Sequence, residues 1–244
     1  MVGGALILKM NKNLKVLYSF LLLMILSCNS LNPLYMSEKP FLATFDNQED
    51  FQKNWKNNSW KSPASYQLEK GFLKISTRPN SNDRVKIRSR NTFTTGKYTW
   101  RIFVPKLKLY EQVNIGAFLY HNQEKEFEFD FEIGSGQEKD REQLGLKNDE
   151  AIVFCVSQFE PFNSSQYSVQ MNDWSTFTIE LLDIDGFYFV KWYINNQLVK
   201  ELQTQVDAST SFRAHCSLEN LGFIGDKKTT QENFVLFDYF EFKK

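Results

Sequence analysis

The amino-acid sequence predicts an all-β protein, a sandwich of two antiparallel sheets, on three observations. Short segments that alternate apolar and polar residues recur along the chain, bounded by clusters of Asn, Gly, Ser and Lys, as half-buried strands and their turns do. No stretch of the body carries a sustained helical period. Aromatic residues make up 16% of the chain, and its 23 Phe supply the apolar area that two facing sheets must bury.

Taken in order, the chain begins with Lys9, Lys12 and Lys15 ahead of an apolar run over residues 16–26. That run is too short to span a bilayer and has the length of a signal-peptide core. It ends in Ile25-Leu26-Ser27-Cys28, which resembles the bacterial lipobox, with small Ser27 ahead of the cysteine that becomes the new N-terminus. The resemblance implies a signal peptide over 1–27, lipidation of Cys28, and an exported protein held at the bacterial cell envelope. Acyl chains then anchor it to the membrane without spanning it. Residues 28–40 read as the lipidated tether, and 41–244 as one domain of the larger all-β kind.

Within the body, strands are expected at 66–68, 72–76, 85–88, 97–104, 113–120, 126–133, 152–159, 177–182, 187–194, 197–202 and 234–242. The clearest hairpin is 188–198, with Asn195-Asn196 where a tight turn wants two positive-φ residues. Residues 134–150, charged and containing glycine, read as a loop. Trp100, Trp174 and Trp192 fall in strand patterns and read as core. Lys+Arg and Asp+Glu both total 29, so no net field favours nucleic acid. With Cys28 assigned to lipid, export would permit a disulfide between Cys155 and Cys216. Nothing in the sequence places them together, and they read as two free thiols. His121 and His215 stand in no nucleophile or metal spacing and read as incidental. A monomer is expected.

The informative segment is Glu126-Phe127-Glu128-Phe129-Asp130-Phe131-Glu132-Ile133. Alternation along a strand sends Phe127, Phe129, Phe131 and Ile133 into a core, and lines Glu126, Glu128, Asp130 and Glu132 along the other face. Such a row is self-repelling. Chemistry offers a reason for it, because glycosidic bonds are cleaved between two carboxyl groups, held about 5 to 5.5 Å apart in retaining enzymes. The Cα atoms of Glu128 and Glu132 lie roughly 13 Å apart on an ideal strand, so the two side chains must lean towards each other to share a bond. Asp130 between them would hydrogen-bond one acid and keep the other protonated.

Glu-x-Asp-x-Glu on a strand resembles the signature of glycoside hydrolase family 16, the laminarinase, lichenase and agarase group, and stands here as Glu128-Phe129-Asp130-Phe131-Glu132. The similarity continues through 45–55 as the opening strand, 71–77, 95–106, 116–121, 173–199 and the closing 237–244. It implies a concanavalin-A-like jelly roll with a polysaccharide groove. It implies Glu128 as nucleophile, Asp130 as assisting acid and Glu132 as general acid/base. Phe118 and Tyr120 would line the groove as stacking surfaces for sugar. No cofactor is required, although a structural calcium at Asp238 and Gly71 is implied by position in the family. Residues 109–120 lack the groove tryptophan of many family members, and 212–223 lacks an Asn-x-Trp. The expected activity is retaining endo-hydrolysis of a β-glucan or β-galactan, with a non-catalytic carbohydrate-binding lipoprotein as the alternative and transglycosylation as a third reading.

Overall fold

The computed structural model describes residues 39–60, 64–123, 125–159 and 161–244. The signal segment, Cys28 and nearly all of the tether lie outside the described residues. The body is a sandwich of two antiparallel sheets, a jelly roll of the expected class.

Fifteen strands are described: β1 Phe41–Ala43, β2 Trp55–Asn57, β3 Tyr66–Glu69, β4 Phe72–Thr77, β5 Arg84–Ser89, β6 Gly96–Val104, β7 Asn114–Asn122, β8 Glu126–Gly134, β9 Glu150–Ser157, β10 Asn163–Gln170, β11 Asp173–Ile184, β12 Phe187–Ile194, β13 Gln197–Asp207, β14 Arg213–Glu219 and β15 Asn233–Lys243. One sheet runs β13-β12-β11-β6-β15-β4-β3, with β1 also paired to β15. The other runs β10-β9-β8-β7-β14-β5-β2 and carries the acidic strand, β8, in its interior beside the central β7.

The inner faces alternate as the sequence dictates. From β8 come Phe129, Phe131 and Ile133, and from the facing sheet Trp100, Phe177, Val190 and Trp192, all fully buried. Phe131 meets Phe177 edge-on at 5.2 Å, and Phe129 meets Trp192 at 6.2 Å. Removing a ring such as Phe131 would cost about 3–5 kcal/mol. The β12–β13 hairpin turns on Asn195 and Asn196 at φ 49° and 65°, the left-handed pair its strand twist requires. Cys155 and Cys216 are both free and buried, on separate strands of one sheet.

Four expectations are corrected. Residues 45–55 do not open as a strand: Gln48–Asn54 is a helix, and only Trp55–Asn57 is extended. Its cap was legible, since the Asn47 side chain accepts from the amides of Glu49 (2.7 Å) and Asp50 (3.3 Å). The loop 134–150 contains a second helix, Glu138–Leu144, ended by Gly145 in the left-handed region. Seven residues are too few to display a helical period; this helix is pinned by buried Arg141, which donates to the carbonyls of Ser135, Lys147 and Glu150. Strands β10 and β14 carry polar or mixed sequences that masked them. Trp174 is not core: it lies half-buried on the outer face against Phe72 (5.3 Å) and Phe103 (5.5 Å), beneath the Arg101 guanidinium at 4.8 Å.

Candidate active site

The acidic strand sits between β7 and β9, so its outward face is flanked on both sides. In register, Tyr120 stands opposite Glu128, Phe118 opposite Asp130 and Gly116 opposite Glu132. One strand further, β14 places His215 beside Phe118 and Ser217 beside Gly116. Beyond that, β5 presents Arg88 beside His215 and Lys86 beside Ser217. The outer face of this sheet is therefore a band of acids, then aromatics, then bases.

Glu128 and Glu132 are half-buried and remain open to the face, whereas Asp130 is 1% exposed. Asp130 Oδ2 accepts from Gln158 Nε2 at 2.9 Å, while Oδ1 is buried with no N–H donor. A proton on Asp130 resolves that, because the acid can then donate to the neighbouring Glu128 carboxylate. Burial, then the charges of Glu128 and Glu132, drive Asp130 well above the usual carboxylate range. Glu132 is pushed up to about 8, first by burial and then by the charges of Glu128 and Glu219, despite a hydrogen bond from Asn114 and the nearby Lys86. Glu128 is raised by burial, against which the Asp130 hydrogen bond and the Lys86 charge act to keep it ionised. At neutral pH the strand thus carries a buried neutral acid, Asp130, and a protonated acid open to the face, Glu132, beside Glu128, whose Asp130 and Lys86 neighbours favour its anion against the effect of burial. Carboxyl groups whose environments push their proton affinities apart can divide acid and base work between them. Glu126, the fourth acid, is exposed at the strand's start and hydrogen-bonded to Tyr120, whose hydroxyl is pushed up to about 12 by burial, that bond and the acids nearby.

The backbone beneath is fixed from the core side. The Trp192 indole donates to the Asp130 carbonyl at 3.1 Å, and the Lys200 ammonium lies 4.8 Å from the Trp192 ring while donating to the carbonyls of Cys155 (2.7 Å) and Asn163 (2.9 Å). Gly116 is needed opposite Glu132: a Cβ there would fall 2.4 Å from Ser217 Oγ.

Phe118 is 5% exposed and stacked on His215, with centroids 4.5 Å apart and planes at 7°, and lies outside the main core cluster. Tyr120 is half-buried. Both border a cleft of about 220 Å³ that also meets Trp60, Lys86 and Glu128. His215 is not incidental, since it forms part of this floor; burial and the surrounding cations hold it down to about 3, hence neutral. His121 packs against Phe127 and makes a 2.8 Å bond with the Ser211 carbonyl. The sequence reading also missed Lys86, Asn114, Gln158, Glu219 and the 73%-exposed Trp60. Only the alternation Arg84-Val85-Lys86-Ile87-Arg88 announced a basic face in advance. A larger cavity of about 560 Å³ near Leu144, Tyr167 and Ile194 has no acid or histidine on its walls.

The residues present do not fit a structural calcium. The Asp238 carboxylate is committed to the Arg101 guanidinium, and Gly71 lies in the β3–β4 turn against the Asp46 side chain. Among the described residues no three His, Cys, Asp or Glu side chains gather as a metal site.

No protein-family model and no curated protein matches the sequence. Solved structures do match in fold. A β-glucanase from Bacillus licheniformis superposes with a TM-score of 0.59 at 15% identity, covering 85% of this chain and 99% of its own. A glycoside hydrolase family 16 endo-glucanase from Bacteroides ovatus gives 0.59 at 12%, covering 83% and 99%. A transglycosylase in complex with NAG gives 0.64 at 13%, covering 86% of each chain. The chain has the fold of the family 16 laminarinases and lichenases.

Proposed function

We propose that this protein is a retaining endo-glycosidase that hydrolyses a β-linked polysaccharide of the β-glucan or β-galactan class at the cell envelope. The observation that carries the reading is the row of acids on the outward side of β8, with Asp130 buried and held by Gln158 between Glu128 and Glu132, both open to the face, and Glu132 raised to about 8. In the reaction, the Glu128 carboxylate attacks the anomeric carbon and the glycosidic C–O bond breaks as Glu132 delivers its proton to the departing oxygen. The covalent glycosyl-enzyme so formed is hydrolysed when Glu132, now a carboxylate, takes a proton from water. Asp130 holds Glu128 in place through its hydrogen bond. Phe118, Tyr120 and Trp60 offer ring faces and edges to the sugar chain along the same side. Cys28 is the proposed lipid attachment, and the substrate meets the protein outside the membrane.

The second reading, a non-catalytic carbohydrate-binding lipoprotein, is favoured by one observation: among the described groove residues, exposed tryptophan is limited to Trp60. Reducing-end release from laminarin, lichenan, agar and carrageenan decides between them. Hydrolysis by the wild type that Glu128→Gln abolishes, with the product's anomeric configuration retained, supports the enzyme. Binding without release by the wild type supports the binder. Products longer than the substrate would indicate transfer to sugar instead of water.

A further inference from the structure

We propose that the cavity between Arg88 and Arg213 is a subsite for an anionic substituent, a sulfate ester or a uronate carboxylate, on a sugar flanking the cleaved bond, so that the substrate is a charged polysaccharide. The inference deepens the hydrolase reading and rests on it for the path of the chain through the groove.

Val85 and Ile87 of β5 and Ala214 and Cys216 of β14 are core residues, so Arg88 and Arg213 point to the groove side. They border a cavity of about 180 Å³ together with Asn58, Tyr120, Asn122 and His215. All six of these side chains carry N–H or O–H donors and none is a carboxylate. Among the described residues neither guanidinium makes a hydrogen bond or an ion pair, and the Nε of each is buried with no partner. Their neighbours show that this is particular to the pair. On the same strand, Lys86 meets Glu219 at 3.4 Å and Arg84 meets it at 4.0 Å.

Burial and a neighbouring arginine charge hold both groups below the usual guanidinium value. Two half-buried, mutually repelling cations without a counter-ion are costly to keep. An oxyanion would accept from both forks and remove that cost. Tyr120 lines this cavity and also the cleft that holds Glu128, two strand spacings or about 10 Å from Arg213 across the sheet. An anion here therefore belongs to a polymer already lying over the acids. With Asp130 and Glu132 protonated, the acidic side of the groove does not exclude such a polymer.

The test uses Glu128→Gln, so that binding is read without turnover, in gels containing a sulfated galactan, a polyuronate or an uncharged β-glucan. One of the two charged polymers is expected to retard the protein at concentrations about tenfold or more below the neutral one, and which of them does so identifies the substituent. Arg88→Gln and Arg213→Gln in that background should each lose about tenfold or more of that affinity, and Arg213→Lys should recover part of it. Both Gln variants should melt at or above the parent's temperature, because each removes an unpaired, desolvated cation. Equal retardation by all three polymers would overturn the proposal, as would charged-polymer binding indifferent to both arginines. Binding of inorganic sulfate with no preference among polymers would also overturn it, assigning the cavity to a free anion. Absence of product from every polymer with the wild type would remove the hydrolase reading and leave these binding results to decide the subsite alone.

Discussion

Replacing Glu132 by Gln should stabilise the folded protein at alkaline pH while removing its activity. Glu132 rises from the ordinary 4.5 to about 8, with burial the main cause. Between those values the folded protein holds a proton that the unfolded chain has released, so stability falls as pH rises through the window and levels off above about 8. The full rise corresponds to an upper bound of about 5 kcal/mol. Glu132 is half-buried and water reaches the groove, so a cost of about 2 kcal/mol at pH 8.5 is the working expectation. Gln does not titrate, and its amide also relieves the charge pressing on Asp130. The assay is urea unfolding of both proteins at pH 5 and pH 8.5. The variant should be more stable by about 2 kcal/mol at pH 8.5, the gap narrowing towards pH 5, while kcat falls by about 10²–10⁴. A wild type that gains stability relative to Glu132→Gln on going from pH 5 to pH 8.5 would refute the claim that Glu132 stays protonated near neutrality.

Four further outcomes are expected. Glu128→Gln should lower kcat by about 10⁴ or more with little change in fold, measured by reducing-end release. Wild-type kcat/KM should fall on the alkaline side near pH 8 as Glu132 loses its proton, and that limb should vanish for substrates with activated leaving groups that need no acid. Trp192→Phe should cost about 1–3 kcal/mol, read as a lower urea midpoint, because the Asp130 carbonyl loses its indole partner inside the sandwich. Gly116→Ala should cost about 1–3 kcal/mol through the clash with Ser217 Oγ, and Ser217→Ala should restore part of it in a double-mutant cycle.

The sequence by itself determined the β-sandwich, the inward Phe face of β8 and the outward row of acids, because alternation along a strand is a local property that one chain segment carries whole. It also announced the Asn195-Asn196 turn, whose two positive φ values are a matter of local sterics. The helix Glu138–Leu144 was not legible, since its anchor is Arg141 reaching carbonyls on both sides of it and not its own periodicity. Nor was β14, whose Arg-Ala-His-Cys-Ser-Leu-Glu run shows no long apolar stripe. Only the tertiary structure put His215 under Phe118, buried Asp130, set Glu219 against Glu132 and brought Arg88 to Arg213. Those relations join strands far apart in the chain. The burial that sets each acid's proton affinity is likewise supplied by neighbours across the sheet, so the differences in proton affinity among three like carboxylates could be decided nowhere but in the folded molecule.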